Sequence, residues 1–181
     1  MTSSVERPRS PDAPFDSLRI SMAHELDGLA AEFMERHPGC DAARWNIRQI
    51  VEHLILTYRA SGRAFRERLE KGRPTQSRTT VNQRMAQWTV LGLGVFPPGR
   101  EAPPWVTPKS VADQAMDGRD LAALFDDELR GMEEVLGECG PVFGGEAFAS
   151  HQILGPLSVA RWRRFHAVHG FHHLRQIRKL K

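Results

Sequence analysis

Long apolar runs are missing from this 181-residue chain, and their absence excludes a membrane protein. No stretch approaches the roughly 18 apolar residues that a membrane-spanning helix requires. The first residues are polar and include prolines, so they lack the apolar segment of a secretory signal peptide. We therefore expect a cytoplasmic protein with no membrane partner and a flexible tail over residues 1–14.

The chain has few cysteines and no alternating apolar–polar pattern of the kind that predicts β-strands. The two cysteines, Cys40 and Cys139, lie far apart in the chain and form no Cys-x-x-Cys motif, which predicts free thiols in a cytoplasmic protein. No segment of any length alternates between apolar and polar residues, and no internal repeat is present. These absences favour an all-α fold, and the length is that of one domain, predicted over residues 15–181.

Apolar residues at helical spacing predict five helices, and the architecture is that of a four-helix bundle with an extra helix and long connections. The predicted helices cover about residues 16–37, 46–71, 81–93, 118–138 and 159–181. Asn46 is the predicted N-cap of the second helix, while Pro38-Gly39 and Gly140-Pro141 are predicted stops. In the third helix, Met85 and Trp88 are predicted to face inward.

A Pro-rich loop, residues 95–108, separates the third and fourth predicted helices. Its five prolines exclude a regular helix or a central strand. Loops of this length in compact domains are usually functional or disordered. Because Phe96 and Trp105 are poorly suited to a solvent-exposed surface, we expect the loop to pack over one end of the bundle near the candidate metal site described below.

Acidic residues are absent after Glu146, whereas residues 161–181 carry seven Lys or Arg. A basic terminal helix can bind nucleic acid or an acidic ligand. However, residues 117–138 carry eight Asp or Glu that can complement it, and no recognition-helix, RNP or zinc-finger motif accompanies it. We therefore expect no nucleic-acid partner.

Half of the eight histidines lie in the basic terminal helix, at positions 166, 169, 172 and 173. His169 and His173 are four residues apart, so they point the same way and can ligate one transition metal. The alternatives are a surface helix with incidental histidines and a hydrogen-bonded core pair. A His-Glu-x-x-His metalloprotease is disfavoured, because Gly170 stands where that motif has its general base.

A catalytic metal site needs at least a third protein ligand. The other six histidines are the candidates: His24, His37, His53, His151, His166 and His172. His53 is the best placed, because the large aliphatic residues around it allow it to point into the bundle from the second helix. A hydrogen-bonded core histidine is the alternative interpretation of His53.

Three segments together carry a resemblance to a known family. They are Trp45-x-x-x-x-Ile-Val-Glu-His53, then His151-x-x-x-Gly-Pro-Leu-Ser-x-x-x-Trp162, then His169-x-x-His-His-x-x-Gln-Ile177. The chain resembles the DinB/YfiT-like metalloprotein superfamily over about residues 16–180. The Phe-Pro-Pro-Gly-Arg loop is similar to a poorly characterised branch of that superfamily.

The resemblance implies an antiparallel four-helix bundle that holds a divalent metal, usually zinc or nickel, on three histidines. His53, His169 and His173 match the family's ligand positions, whereas His172 matches a position that is often a non-ligand histidine. In the thiol-dependent maleylpyruvate isomerases the position of His169 is a glutamate, so this chain departs from that activity.

The resemblance also implies a function, because the superfamily's characterised members look like transferases. They activate a low-molecular-weight thiol such as bacillithiol, mycothiol or glutathione for attack on an electrophile. The expected partners are therefore a small-molecule substrate or thiol, and a homodimer is possible. The alternatives are a small metal-dependent hydrolase and a non-catalytic, metal-stabilised, stress-related binding protein.

Overall fold

The computed structural model describes residues 13–96, 101–108 and 116–181, and within these ranges the chain is mostly α-helical. The helices are α1 (Ala13–Leu26), α2 (Ala31–Met34), α3 (Ile47–Lys71), α4 (Val81–Gln87), α5 (Gly118–Phe143) and α6 (Val159–Leu180). Strands β1 (Ala149–His151) and β2 (Gly155–Leu157) pair in an antiparallel sheet. Single turns of 3₁₀-helix at Pro38–Cys40 and Pro104–Val106 and of π-helix at Trp88–Gly92 complete the assignment.

The long helix α3 has the ends that the sequence predicts. The Asn46 side chain accepts a hydrogen bond from the Gln49 backbone N–H at 2.9 Å, and the Gln49 side chain accepts one from the Asn46 N–H at 3.1 Å. This reciprocal capping box satisfies two N–H groups that a helix start otherwise leaves unpaired. Gly72 ends the helix in a left-handed conformation (φ 60°) that glycine adopts without strain.

The first helix is shorter than predicted, because it ends at Leu26 rather than continuing to His37. Gly28 has a positive φ of 71°, which turns the chain out of the helix. The following carbonyl, that of Leu29, accepts a hydrogen bond from the Gly118 N–H at the start of α5. This tertiary bond fixes the turn, and the apolar periodicity of the sequence could not reveal it.

The predicted stop at Gly140-Pro141 is also wrong, since α5 continues to Phe143 with Pro141 inside its last turn. A proline near a helix end costs one backbone hydrogen bond rather than breaking a long run. The short sheet is the one addition, within the described residues, to the mostly helical fold that the sequence predicts. Its strands have three residues each, which is too short for an alternating pattern to be recognised.

Helices α3 and α6 run antiparallel in the described fold. At one end the ring of Phe65 lies 5.0 Å from that of Trp162, and at the other end the rings of His53 and His173 are 4.8 Å apart. One cluster of buried apolar side chains includes residues of α1, α3, α5 and α6. This core places the second turn of α3 against the C-terminal half of α6.

Helix α1 packs closely against α6 at Gly170. A Cβ atom at this position would lie 2.3 Å from a methyl group of Leu18, so any side chain here would require Leu18 to shift. The basic charges of α6 are partly matched by acids from α1 and α5. Arg178 lies 2.8 Å from Glu25, and Arg163 lies 3.6 Å from Glu133.

The structure can be compared with the predicted N-terminal tail and the predicted free thiols. The proposed tail falls mainly on residues 1–12, outside the described part, and Ala13 and Pro14 belong to α1. Cys139 is a free thiol in the core, where burial raises its pKa to about 11, and the Cys40 side chain is not among those described. Among the described residues, no helix has the length and apolarity needed to cross a membrane.

Candidate metal centre

Three histidines from two helices bring their Nε2 atoms together in the interior. His53 projects from α3, and His169 and His173 project from successive turns of α6. The Nε2 atom of His169 lies 3.2 Å from that of His53 and 3.0 Å from that of His173. The three rings are 6 to 8% exposed, so the cluster is nearly closed to solvent.

The outer nitrogens of two rings have defined partners. His53 Nδ1 lies 2.8 Å from the backbone oxygen of Val106, and His173 Nδ1 lies 2.7 Å from Oε1 of Gln176. Because a carbonyl oxygen only accepts, each Nδ1 must carry the proton. The Nε2 atoms of His53 and His173 therefore present lone pairs to the centre of the cluster.

This arrangement fits a bound cation. The Nε2 atom of His169 carries at most one proton, so it can donate to only one of the two Nε2 lone pairs that face it. The other lone pair then has no hydrogen-bond donor. Nitrogen ligands about 2.1 Å from a transition metal are about 3.0 to 3.4 Å apart when the angles between them are tetrahedral or octahedral. The Nε2–Nε2 distances of 3.0 and 3.2 Å match that requirement.

The electrostatics of the cluster keep its imidazoles neutral, as metal ligation requires. Burial lowers the pKa of His53, and the nearby His172 lowers it further, whereas the hydrogen bond that His53 donates to the Val106 carbonyl raises it. Burial lowers the pKa of His173 to about 3, and it holds that of His169 well below its usual range. Near pH 7 all three rings can therefore donate lone pairs.

Aromatic rings form the walls around the cluster. The Trp45 ring lies 5.0 Å from His53, and the Phe165 ring stacks on His169 at 5.3 Å. From the Pro-rich loop, the Phe96 ring lies 5.4 Å from His169. The loop therefore contacts the histidine cluster at two points, Phe96 and Val106. Trp105 is 60% exposed, and residues 97–100 lie outside the described ranges.

His172 and Gln176 form an outer pair on the next face of α6. The Nε2 atom of Gln176 lies 3.1 Å from Nε2 of His172, while its oxygen accepts from His173. Since an amide N–H only donates, the His172 Nε2 is occupied as an acceptor. His172 therefore lies outside the cluster of three.

The remaining histidines lie elsewhere. His151 Nδ1 accepts hydrogen bonds from the backbone N–H groups of Ile153 and Leu154, and burial lowers the pKa of His151 to about 4. His166 is fully buried, and burial lowers its pKa to about 3. His24 is exposed, and His37 contacts the backbone oxygen of Arg44. None of these four belongs to the described cluster of metal-ligating groups.

The sequence reasoning missed two contributors to the site. Gln176 was recognised as part of a motif but not as the partner of His173, although its spacing of three residues places the two side chains together on a helix. The Val106 carbonyl could not be assigned, because a backbone group in an irregular loop leaves no signal in the residue types.

Comparison with known proteins identifies one family. The model of the DinB superfamily matches residues 15–177 of the chain, a range that includes all three clustered histidines. No curated protein and no solved structure matches.

Proposed function

Because this chain belongs to the DinB superfamily, we propose that it binds one divalent transition metal, zinc or nickel, and acts as a metal-dependent thiol S-transferase. His53, His169 and His173 would hold the metal. One observation carries the proposal: two Nε2 lone pairs, fixed by the outer partners of their rings, face the third Nε2 at close range.

The donor set suits catalysis better than a purely structural role. Closed structural zinc sites use four protein ligands, whereas catalytic sites use three and keep a position for a small molecule. The described cluster contains three ligating groups. When bound, the metal would carry its full 2+ charge against three neutral ligands and would lower the pKa of a thiol or water molecule beside it.

The surroundings favour a thiol over water as the activated group. A hydrolase of the metalloprotease type uses a carboxylate base beside the metal to take the proton of the attacking water. Among the described residues, no Asp or Glu joins the cluster, and Gly170 follows His169 directly. The rings of Trp45, Phe96 and Phe165 instead offer the apolar contacts that a polarisable sulfur atom prefers.

We also propose that α1, α3, α5 and α6 form the antiparallel four-helix bundle expected of this superfamily. Their shared apolar core and the antiparallel run of α3 and α6 support this arrangement. In such a bundle, metal sites are built from side chains that facing helices project inward.

The test of the function has two stages. Metal content would be measured on protein never exposed to a chelator, and about one equivalent is expected. The loaded protein would then be incubated with 1-chloro-2,4-dinitrobenzene and glutathione, bacillithiol or mycothiol in turn, and thioether formation would be followed. The matched control is His166→Leu, which changes a buried histidine outside the cluster.

The outcomes separate the candidate functions. Thiol-dependent thioether formation that His169→Ala abolishes and His166→Leu retains supports the transferase. Hydrolysis of 4-nitrophenyl acetate without a thiol, lost in the same variant, would favour the hydrolase. Bound metal with neither activity would favour a non-catalytic binding protein, and less than about a tenth of an equivalent of metal would contradict the site itself.

A further inference from the structure

A groove lies beside the N-terminal end of α6, away from the candidate metal centre in its C-terminal half. Its volume is about 620 Å³, and it is formed by α4, the π turn and the first turn of α6. The residues that line it are Thr79, Arg84, Gln87, Trp88, Leu91, Gly92 and Arg161. We refer to it as the arginine groove.

The arginine groove carries positive charge without a carboxylate to neutralise it. Its walls come from two stretches, residues 71–100 and 147–181, that contain no Asp or Glu. Two other arginines of α6 are matched, since Arg178 pairs with Glu25 and Arg163 with Glu133. In the described part of the chain, Arg84 and Arg161 have no such ion pair, and two guanidinium groups on one groove attract an anion.

A buried amide holds one of these arginines in place. Gln87 is 7% exposed, and its Nε2 donates to the Leu154 backbone oxygen at 2.7 Å. Its Oε1 accepts from Nη1 of Arg161, also at 2.7 Å. Arg161 is thereby oriented by one of its five N–H donors, and the others remain free for the two oxygens of a carboxylate or phosphate.

Trp88 supplies an apolar surface beside the charges. It lies four residues after Arg84 on the same helical face, it is 60% exposed, and it begins the π turn. π turns within helices are frequent at functional sites. An exposed indole next to guanidinium groups suits stacking of a flat ring whose anionic substituent reaches the arginines.

We propose that the arginine groove binds a small organic anion in which a carboxylate or phosphate is attached to a planar apolar group. Arg84 and Arg161 bind the anionic oxygens, Trp88 stacks on the plane, and Gln87 positions Arg161. This site goes beyond the proposed metal chemistry and does not depend on it.

The test uses the full chain, both as purified and after chelation, in calorimetric titrations at low salt. The probes are 2-naphthoate and 2-naphthyl phosphate, with 2-naphthamide as the uncharged analogue and inorganic phosphate as the anion without a ring. We expect saturable binding of at least one naphthyl anion, about tenfold tighter than that of naphthamide. The naphthyl anion that binds more tightly shows whether the groove prefers a carboxylate or a phosphate. Equal affinity before and after chelation would show that binding does not depend on the metal.

Matched variants locate the binding. Arg84→Gln and Arg161→Gln should each weaken it about tenfold, and Trp88→Ala should weaken binding of the naphthyl anions much more than that of inorganic phosphate. Arg63→Gln, an exposed arginine of α3 outside the groove, should leave affinity unchanged. Because Arg84 has no bond to Gln87, its variant tests the groove even if Arg161→Gln lowers the melting temperature. The proposal is overturned if no probe saturates, if naphthamide binds as tightly as the anions, or if Arg63→Gln has the same effect.

Discussion

Buried histidines at two places along α6 differ in the partners of their ring nitrogens. In the candidate metal centre, the Nε2 atom of His169 lies 3.2 Å from that of His53 and 3.0 Å from that of His173. One turn earlier, His166 is equally buried, but Tyr58, Phe65, Trp162 and Phe165 surround it with aromatic rings. Burial lowers the pKa to about 3 in both His166 and His173. Burial and a low pKa therefore do not identify a ligand.

The difference lies in where the nitrogens point and what holds them. In the described structure neither nitrogen of His166 has a hydrogen-bond partner, whereas Val106 and Gln176 fix the outer nitrogens of two rings in the candidate metal centre. Outer partners of this kind orient a ligand and select its tautomer. A metal site in a helical core is recognised by converging lone pairs, and a core histidine by its packing.

The largest contrast should come from removing a ligand. We expect His169→Ala to retain less than about a tenth of an equivalent of metal after dialysis, because two remaining ligands bind far more weakly. His166→Leu should retain the wild-type content, as measured by inductively coupled plasma mass spectrometry. Equal metal loss in both variants would remove the distinction between the two groups.

The second largest effect should be the loss of stability when a chelator removes the metal. Metal present at about a thousand times its dissociation constant stabilises by about 4 kcal/mol, which is roughly 10 °C in the melting temperature of a chain this long. Helicity should survive, because the apolar core includes residues of four long helices and does not depend on the metal. Circular dichroism before and after chelation measures both quantities. An apo-protein that is unfolded, or one with unchanged melting, would contradict this expectation.

A smaller effect is expected from the outer partner of His173. Gln176→Leu removes the acceptor at 2.7 Å, and changes to such partners typically weaken metal binding by about 10- to 100-fold. Competition with a chromophoric chelator gives the affinity. Gln152→Leu, at an exposed position, is the control and should keep the wild-type value. If the two glutamine variants bind metal equally, Gln176 does not position the ligand.

The smallest effect concerns the pH dependence conferred by His166. The pKa of His166 falls from an ordinary 6.5 to about 3 on folding, so between these values the unfolded chain binds the extra proton. Stability should therefore decrease as pH falls from 6.5 towards 3, by about 1.4 kcal/mol per pH unit from this residue. In metal-free protein, His166→Leu should lessen that slope while stability at pH 7 changes little. Urea unfolding at pH 7 and pH 5 measures the slope, and Gln152→Leu, which removes no titratable group, should keep the original slope.

The sequence predicted the long helices and the three clustered histidines better than it predicted their surroundings. Asn46 and Gly72 mark the ends of α3 through local chemistry that the residue types specify. The spacing of His169 and His173 follows from helix geometry alone, and His53 was indicated by the large aliphatic residues around it and then by the family resemblance. The Val106 carbonyl and the Leu29 carbonyl acquire their roles only through tertiary contacts, which residue types do not encode.

Helical periodicity also failed where a short helix carries apolar residues on its outer face. Met85 and Trp88 were predicted to face inward, but they are 59 and 60% exposed. The inward position in α4 belongs to a polar residue, Gln87, whose amide is satisfied by Leu154 and Arg161. Hydrogen bonds from distant segments reversed the orientation that hydrophobicity predicts, and the arginine groove is formed as a result.

The contact between Gly170 and Leu18 restricts which residues can replace Gly170. A glutamate directly after His169 would create the residue pattern of a metalloprotease, yet its Cβ would lie 2.3 Å from a methyl group of Leu18. Reaching that pattern by mutation would require the buried Leu18 side chain to repack between α1 and α6. Gaining a general base at this position is therefore coupled to a change in the apolar core.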